Sequence, residues 1–405
     1  MLNRLKDWIL DRAGPNLPIL WLYGPAGSGK SCIARSIGEW CDQHHLLLAS
    51  FFFFRSDATR NSVQRLVPTI AYGIAQTNLI SRRSISLAIE LDPHIFSREK
   101  GVQFSKLVLE PLSSLSTRRG RPYVLIIDGL DECLQEVEQK AILRLFSENH
   151  AQGMKILVAS RPEHAIRSSF DDTPLQDLHI RLALGNEYEA YEDIRLFLGD
   201  KFAEIKRNHR RKAFIPPAWP SVEDIDKLVS KSSGQFIYAA TIIKYISADR
   251  HCPIAGLYSI VENASPPDGR RDLPFAELDA LYGYILQRAA GERTDILKVI
   301  ALIIISINTH HWVLYRQTFG TPVAMLADVL VLDIPTVSCI LTDLSSVISC
   351  SDNGLNAHHA SLGDFLFDRT RSGSLGLWVD QPLFLSDIVC RCLSMLPSLS
   401  GTSFC

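Results

Sequence analysis

The sequence lacks the features that mark several protein classes. Its 405 residues carry a formal net charge of only −2, so no strong overall field draws the chain to nucleic acid or to an anionic membrane. The most apolar stretch, residues 299–307, is about half the roughly 20 residues that span a bilayer. There is also no internal repeat of solenoid or propeller period. We therefore expect neither a nucleic-acid partner nor a membrane.

The cysteines form no disulfide or metal-binding framework. They number nine and are scattered, without two C-x₂-C pairs, and Cys390 and Cys392 stand in a spacing that is neither a zinc nor a redox motif. This usage predicts a reducing, cytoplasmic setting. The basic run 206–212 comes just before Pro216, where a solvated helix end is favoured over a nucleic-acid patch because cations suit a helix C-terminus.

A phosphate-binding loop is the clearest motif present. Residues 24–31 are Gly-Pro-Ala-Gly-Ser-Gly-Lys-Ser and fit G-x-x-x-x-G-K-[ST], between an apolar run and a helix-like segment. Glycines let backbone N–H groups approach phosphate oxygens at the start of a helix. Lys30 would reach the terminal phosphates, and the Ser31 hydroxyl would bind Mg²⁺. The predicted nucleotide contacts of this segment are Gly24, Pro25, Ala26, Gly27, Ser28, Gly29, Lys30, Ser31 and Cys32.

The order of apolar and amphipathic segments predicts an α/β protein. Strand-like runs at 46–54, 123–127, 154–159 and 178–184 alternate with helical segments, which indicates a P-loop NTPase sheet of parallel strands flanked by helices. Helical and winged-helix-like domains are expected to follow, with a possible hairpin at 347–356. The predicted regions are a nucleotide-binding domain at 1–184, a helical domain at 185–262, a winged-helix-like domain at 263–375 and a tail at 376–405.

Acidic residues follow the strand at 123–127. Asp128 ends this apolar strand, where a carboxylate can hold the Mg²⁺ that bridges the phosphates. The predicted metal ligands are therefore Ser31 and Asp128. Glu132 is predicted to orient or activate the attacking water, with Asp131 in support. Asp131 also precedes a helix, so helix capping is an alternative interpretation.

An arginine follows the next strand. Pro162 keeps Arg161 out of helical geometry, at the carboxyl end of a strand where open parallel sheets bind ligands. We expect Arg161 to bind the γ-phosphate and we group it with Glu132 and Asp131 as catalytic. A surface ion pair with Glu163 is the alternative.

Three segments together resemble the NACHT group of signal-transducing (STAND) P-loop ATPases: Gly24–Ser31, Asp128-Gly-Leu-Asp-Glu132 and Ser160-Arg-Pro-Glu163. The runs 21–31, 50–55, 68–71 and 236–241 are further similar to fungal NLR-like proteins of mushroom-forming species. The resemblance implies an ATP/ADP-binding, Mg²⁺-dependent switch in fungal innate immunity. Slow hydrolysis would gate opening, and the ATP-bound NACHT module would self-associate.

The resemblance also implies a histidine that senses nucleotide. The family's winged helix often carries His-x-[Ser/Thr]-Phe-Gln-Glu-Phe, whose histidine touches the ADP β-phosphate. His359-Ala-Ser-Leu-Gly-Asp-Phe365 matches in register but departs at Leu362 and Gly363. His359 is therefore the candidate contact, a hydrogen-bonded core histidine is the equal alternative, and His358 is the second choice.

Relatives usually carry an effector domain before this module and sensing repeats after it, and we expect both to lie outside this chain. Two other functions stay open at this point. One is a truncated scaffold that binds nucleotide without signalling. The other is a remodelling ATPase of AAA+ or helicase type, which the near-neutral charge and the Asp-Gly-Leu-Asp-Glu form of the acidic motif disfavour.

Overall fold

A computed structural model describes residues 1–12, 14–55, 57, 59–113, 122–149, 153–184, 189–249, 252–266, 273, 275–307, 321–351 and 354–399. The chain separates into two compact units, Met1–Glu187 and Tyr188–Cys405. The predicted boundary of the nucleotide-binding region at residue 184 stays a prediction. The predicted subdivision of the second half stays a prediction.

The first unit is built on a sheet of five parallel strands. They are β1 (Ile19–Tyr23), β2 (Leu47–Phe52), β3 (Tyr123–Asp128), β4 (Met154–Ser160) and β5 (His179–Ala183), in the spatial order β2-β3-β4-β1-β5. The prediction of a parallel α/β sheet flanked by helices is confirmed, as is the helical character of the C-terminal half.

Helices connect and cover these strands. They span Leu2–Ile9, Lys30–Gln43, Leu66–Thr77, Leu79–Leu91, Lys100–Phe104 running on to Ser113, Glu136–Glu148 and His164–Asp171. The helix Leu79–Leu91 was not predicted. Its only buried residues are Ser81 and Ile85, so it lacks the apolar stripe from which a surface helix is recognised. Its start is instead defined by Asn78, whose side chain accepts a hydrogen bond from the Ile80 N–H.

The two faces of the sheet are both buried, which explains the nearly continuous apolar strands. Successive side chains of a strand point to opposite faces. Trp21 and its neighbours on one face pack in one core cluster with Phe51 and Val158. Leu22 packs on the other face with residues of the helices Leu2–Ile9 and Lys30–Gln43.

The strand order places β4 between β1 and β3. Tyr23 at the end of β1 pairs with Ser160, and Asp128 at the end of β3 pairs with Ala159. Because all three strands are parallel, the segments that follow them meet at one edge of the sheet. Sheet topology therefore brings together the phosphate loop, the acidic motif and Arg161.

The second unit is helical apart from one hairpin within its described residues. Its helices span Glu189–Asn208, Val222–Lys231, Phe236–Ser247, Pro253–Asn263, Ala276–Arg288, Arg293–Ile307, Pro322–Leu330, Ile334–Asp343, Ser361–Leu366, Arg369–Ser372 and Gln381–Leu399. The antiparallel strands Ile348–Ser351 and Gly354–Ala357 form the hairpin, at the place the sequence predicts. A continuous apolar core that includes Tyr238, Ile300 and Phe365 holds this unit together.

Among the described residues, no single helix has the length and apolar composition required to cross a membrane. The helices Pro322–Leu330 and Ile334–Asp343 meet that requirement only when counted together, with a bend of 115° between them.

The close approach of Gly73 to β2 predicts a stability effect. A Cβ at Gly73 would lie 2.8 Å from the Ala49 Cβ and 3.3 Å from the Leu48 carbonyl oxygen. We expect Gly73→Ala to lower the free energy of unfolding of the first unit by about 1–3 kcal/mol, because overpacking forces a helix away from the sheet. The control is Gly101→Ala, where a Cβ meets nothing within 4 Å. This change should stabilise by about 0.5–1 kcal/mol. Urea unfolding of both variants makes the comparison, and equal effects would contradict the packing argument.

Candidate functional site

The phosphate loop lies between β1 and the helix Lys30–Gln43. Gly27 and Gly29 have φ values of +75° and +89°, a region that favours glycine. At Gly24 there is no room for a side chain, because a Cβ there would lie 2.6 Å from the Leu184 carbonyl oxygen and 2.9 Å from the Ser28 Oγ. The sequence thus produces a tight turn that ends at a helix N-terminus, which is a favourable place for an anion.

Lys30 is folded back over this loop. Its Nζ donates hydrogen bonds to the carbonyl oxygens of Gly24, at 2.9 Å, and Pro25, at 2.8 Å. Burial lowers its pKa to about 8, although the nearby carboxylates of Asp131, Asp128 and Glu132 act to raise that pKa. The ammonium group is therefore held at the loop without a dominant anionic partner.

Asp128 and Ser31 form the candidate magnesium site. Asp128 is only 4% exposed, and the Ser31 side chain hydrogen-bonds to its carboxylate. Within the described part of the chain, Oδ1 of Asp128 is buried and accepts no hydrogen bond. Burial raises the pKa of this carboxyl group. An orphaned carboxylate oxygen beside a hydroxyl fits a hard cation.

The number of protein ligands also fits magnesium. Mg²⁺ is usually held by one or two carboxylates together with phosphates and water. The pair of Ser31 and Asp128 therefore suits a cation that arrives with a nucleotide.

Glu132 is held by a residue to which sequence analysis gave no role. Its Oε2 accepts a hydrogen bond from the Arg55 N–H at 3.1 Å, and Arg55 Nη2 donates to the Asp131 carbonyl oxygen at 3.0 Å. Burial raises the pKa of Glu132. The only sequence signal for Arg55 is its place at the end of the aromatic run 50–55.

Asp131 faces Arg161. Its Oδ1 accepts the Arg161 backbone N–H at 2.9 Å, and its Oδ2 lies 3.2 Å from Arg161 Nε. The N-cap of the following helix, Glu136–Glu148, is Gln135, so Asp131 does not cap that helix. Sequence analysis did not name Asp131 as the partner of Arg161.

The predicted residues of the first unit thus come to one edge of the sheet: Gly24, Pro25, Ala26, Gly27, Ser28, Gly29, Lys30, Ser31, Asp128, Asp131, Glu132 and Arg161. Cys32 is exposed on the first turn of the helix. The roles of these residues toward a nucleotide stay predictions.

His359 belongs to the second unit, where it is part of a hydrogen-bonded chain. Its Nδ1 lies 3.1 Å from the Ser361 backbone N–H and 2.7 Å from the Ser361 Oγ, which in turn lies 2.8 Å from the Tyr282 hydroxyl. A backbone N–H can only donate, so Nδ1 accepts and the neutral ring carries its proton on Nε2. His358, the second choice, directs its Nε2 to the Ser345 carbonyl oxygen at 3.1 Å.

A separate groove in the first unit lies along β2. It has a volume of about 540 Å³, and Ser50, Tyr72 and Tyr123 are among the residues that line it. It includes no residue of the phosphate loop and none of the charged groups at the sheet edge. The candidate site is therefore recognised by its charges and backbone, as expected for an anion site at a helix start.

One family model is similar to the part of the chain that contains the phosphate loop. The model of the N-terminal region of nephrocystin 3 matches residues 3–161, which include the phosphate loop, the acidic motif and Arg161. No curated protein matches the chain significantly.

Similar solved structures include ORC and Cdc6 proteins. ORC1 of Aeropyrum pernix in complex with DNA has 13% identity and a TM-score of 0.37, covering 92% of this chain and 90% of its own. Cdc6p of Pyrobaculum aerophilum has 13% identity and a TM-score of 0.35, with 87% of each chain covered. Drosophila ORC bound to DNA has 12% identity and a TM-score of 0.36, with 94% and 95% covered. TM-scores at this level carry no argument about what this chain binds.

One prediction, the absence of a nucleic-acid partner, is corrected. A nucleic-acid partner was not expected from the sequence, yet two of the structures named above are complexes with DNA. The expectation rested on the net charge of −2, and that reasoning is wrong because a whole-chain charge does not report local basic surfaces.

The buried carboxylate of Asp128 predicts a trade-off between stability and function. Its pKa is raised in the folded state, so ionisation destabilises the fold at neutral pH. This cost shrinks as pH falls below the raised pKa and is gone below the ordinary pKa of an aspartate. We expect Asp128→Asn to increase the free energy of unfolding at pH 7 by about 0.5–2 kcal/mol. The gain should shrink at acidic pH.

Asp131→Asn is the matched control for this prediction, because Asp131 is buried at the same edge but paired with Arg161. It should lose about 1–3 kcal/mol. Chemical unfolding of both variants without nucleotide, at pH 7 and pH 5, makes the test. A loss of stability in Asp128→Asn as large as that in Asp131→Asn would contradict the argument.

Proposed function

We propose that this protein is a nucleotide-operated switch of the NACHT type that binds ATP or ADP with Mg²⁺ and hydrolyses ATP slowly. The observation that carries the proposal is the buried, unsatisfied Asp128 oxygen beside Ser31 at the start of the phosphate-loop helix. A carboxylate in this state costs free energy unless a cation compensates it. Such a cost is typical of a functional site.

The residues around the loop suit phosphate chemistry. Ser31 and Asp128 would hold Mg²⁺, which would supply positive charge against the charge of the phosphates. Lys30 would exchange the carbonyl oxygens of Gly24 and Pro25 for phosphate oxygens, which are stronger partners for an ammonium group. Glu132, whose pKa is raised by burial, is suited to accept a proton from water. Arg161 would stabilise the negative charge that develops on the transferred group.

The switch role rests on the resemblance in the three motifs. The family model that matches residues 3–161 includes the first two motifs and ends at Arg161 within the third, which supports treating them as one unit. We further propose His359 as the nucleotide-sensing histidine, self-association in the ATP-bound state, and signalling of the NLR type. A cytoplasmic setting completes the proposal.

Loss of the loop lysine tests nucleotide binding. We expect Lys30→Ala to bind ADP and ATP about 10- to 150-fold more weakly, since each charge-assisted hydrogen bond contributes about 1.5–3 kcal/mol. The measurement is the nucleotide content of the purified chain together with calorimetric titration. Lys140→Ala is the control, because Lys140 is exposed on the helix Glu136–Glu148. A wild-type chain that binds neither nucleotide would overturn the proposal. For a switch, we expect the sedimentation coefficient of the protein to differ between the ADP-bound form and the form bound to a non-hydrolysable ATP analogue.

The depressed pKa of Lys30 predicts pH-dependent binding. Its pKa in the free protein is about 8, so the ammonium form that binds phosphate is lost as pH rises through that value. We expect the affinity for ADP to fall about tenfold between pH 7 and pH 9, with uptake of a proton on binding at the higher pH. Titrations in buffers of different ionisation enthalpy measure both quantities. Lys30→Ala should show no such step, and a wild-type affinity that is constant across this range would contradict the assignment.

A further inference from the structure

The carboxylate of Asp131 binds two parts of one residue. Its Oδ1 accepts the backbone N–H of Arg161, and its Oδ2 lies 3.2 Å from the Nε of the same residue. The Asp131 side chain is 4% exposed and that of Arg161 is 25% exposed. A contact at both the backbone and the side chain fixes the position and the direction of the guanidinium.

The backbone around Asp131 is also held in place by hydrogen bonds. Arg55 Nη2 donates to its carbonyl oxygen at 3.0 Å. The turn before it begins at Gly129, whose φ is +70° and whose N–H donates to the Ala159 carbonyl oxygen at 2.9 Å. The acidic motif is therefore hydrogen-bonded to β4 and to the segment after β2. These bonds fix the backbone from which the Asp131 side chain contacts Arg161.

This geometry differs from that of a group that activates water. Both carboxylate oxygens of Asp131 are directed to Arg161. Glu132 is contacted instead by the Arg55 N–H through Oε2, and it remains the candidate base. The supporting role of Asp131 in proton transfer stays a prediction, and the contacts of its two carboxylate oxygens with Arg161 suit a different role.

We infer that Asp131 is a positioning residue that holds Arg161 for the γ-phosphate and so sets the preference for a nucleoside triphosphate over a diphosphate. This inference rests on the proposed function. Arg161 follows β4, between the strands that carry the phosphate loop and Asp128. A guanidinium held in advance loses less conformational freedom when it binds a phosphate. Only the triphosphate carries the group that it reaches.

A double-mutant cycle on the 405-residue chain tests the inference. Dissociation constants for ADP and for a non-hydrolysable ATP analogue are measured by calorimetry for wild type, Asp131→Asn, Arg161→Ala and the double variant. We expect Arg161→Ala to reduce the preference for the analogue about 10- to 150-fold, and Asp131→Asn to reduce it about three- to tenfold. The double variant should match Arg161→Ala, because Asp131 acts through Arg161. Affinity for ADP should stay within about twofold throughout.

The control is Asp171→Asn. Asp171 pairs with Arg181 in an ion pair that is exposed, unlike that of Asp131, and its loss should leave the preference unchanged. If Asp131→Asn does not fold, Arg161→Lys gives the same test, because lysine keeps the charge but has no Nε–H for Asp131 to hold. It should lose the preference as Asp131→Asn would.

Four results would overturn the inference: an unchanged preference in Asp131→Asn, an unchanged preference in Arg161→Lys, an unchanged preference in Arg161→Ala, or losses that multiply in the double variant. A fall in stability with an unchanged preference would mark the ion pair as structural only. A wild-type chain that binds no nucleotide is a different result, since it removes the proposed function itself.

Discussion

Charged side chains lie together at the edge of the sheet where β1, β3 and β4 end. The first unit depends on how their charges are balanced there. Burial lowers the pKa of Lys30 and raises the pKa of Asp128, so each of these groups is pushed toward its neutral form. Asp131 and Arg161 lie at the same edge and have each other as partners. The unbalanced charges are therefore those of the loop lysine and the strand-end aspartate. A phosphate and a divalent cation are the chemical groups that would compensate them.

Holding charged groups at a buried edge of the sheet costs free energy. The apolar core of the sheet offsets that cost. Strands buried on both faces keep water from the charges, which strengthens every electrostatic interaction at their ends. The same burial leaves little room for adjustment, as the contacts at Gly24 and Gly73 demonstrate. A rigid scaffold of this kind holds side chains close to a binding geometry before any ligand arrives.

The second unit has its own core and its own buried polar network. Tyr282 is fully buried, and burial raises its pKa, so it remains a phenol that can donate a hydrogen bond to Ser361. Nearby, Arg371 forms a forked contact with both carboxylate oxygens of Asp279. Buried networks with all members satisfied favour one side-chain arrangement over others. His359 is thus presented with a defined ring orientation and tautomer.

The sequence by itself determined the parts that local pattern encodes. The phosphate loop needs glycines and a lysine at fixed spacing, and buried strands need continuous apolar runs, so both could be predicted from neighbouring residues. The helix Leu79–Leu91 was not predicted because its buried face is too small to give a periodic apolar pattern. The tertiary structure alone decided the partners at the sheet edge. Asp131 and Arg161 are 30 residues apart, and Arg55 and Asp131 are 76 apart. Such pairs form only when strand order brings distant segments together, and no linear spacing records which carboxylate a given arginine will meet.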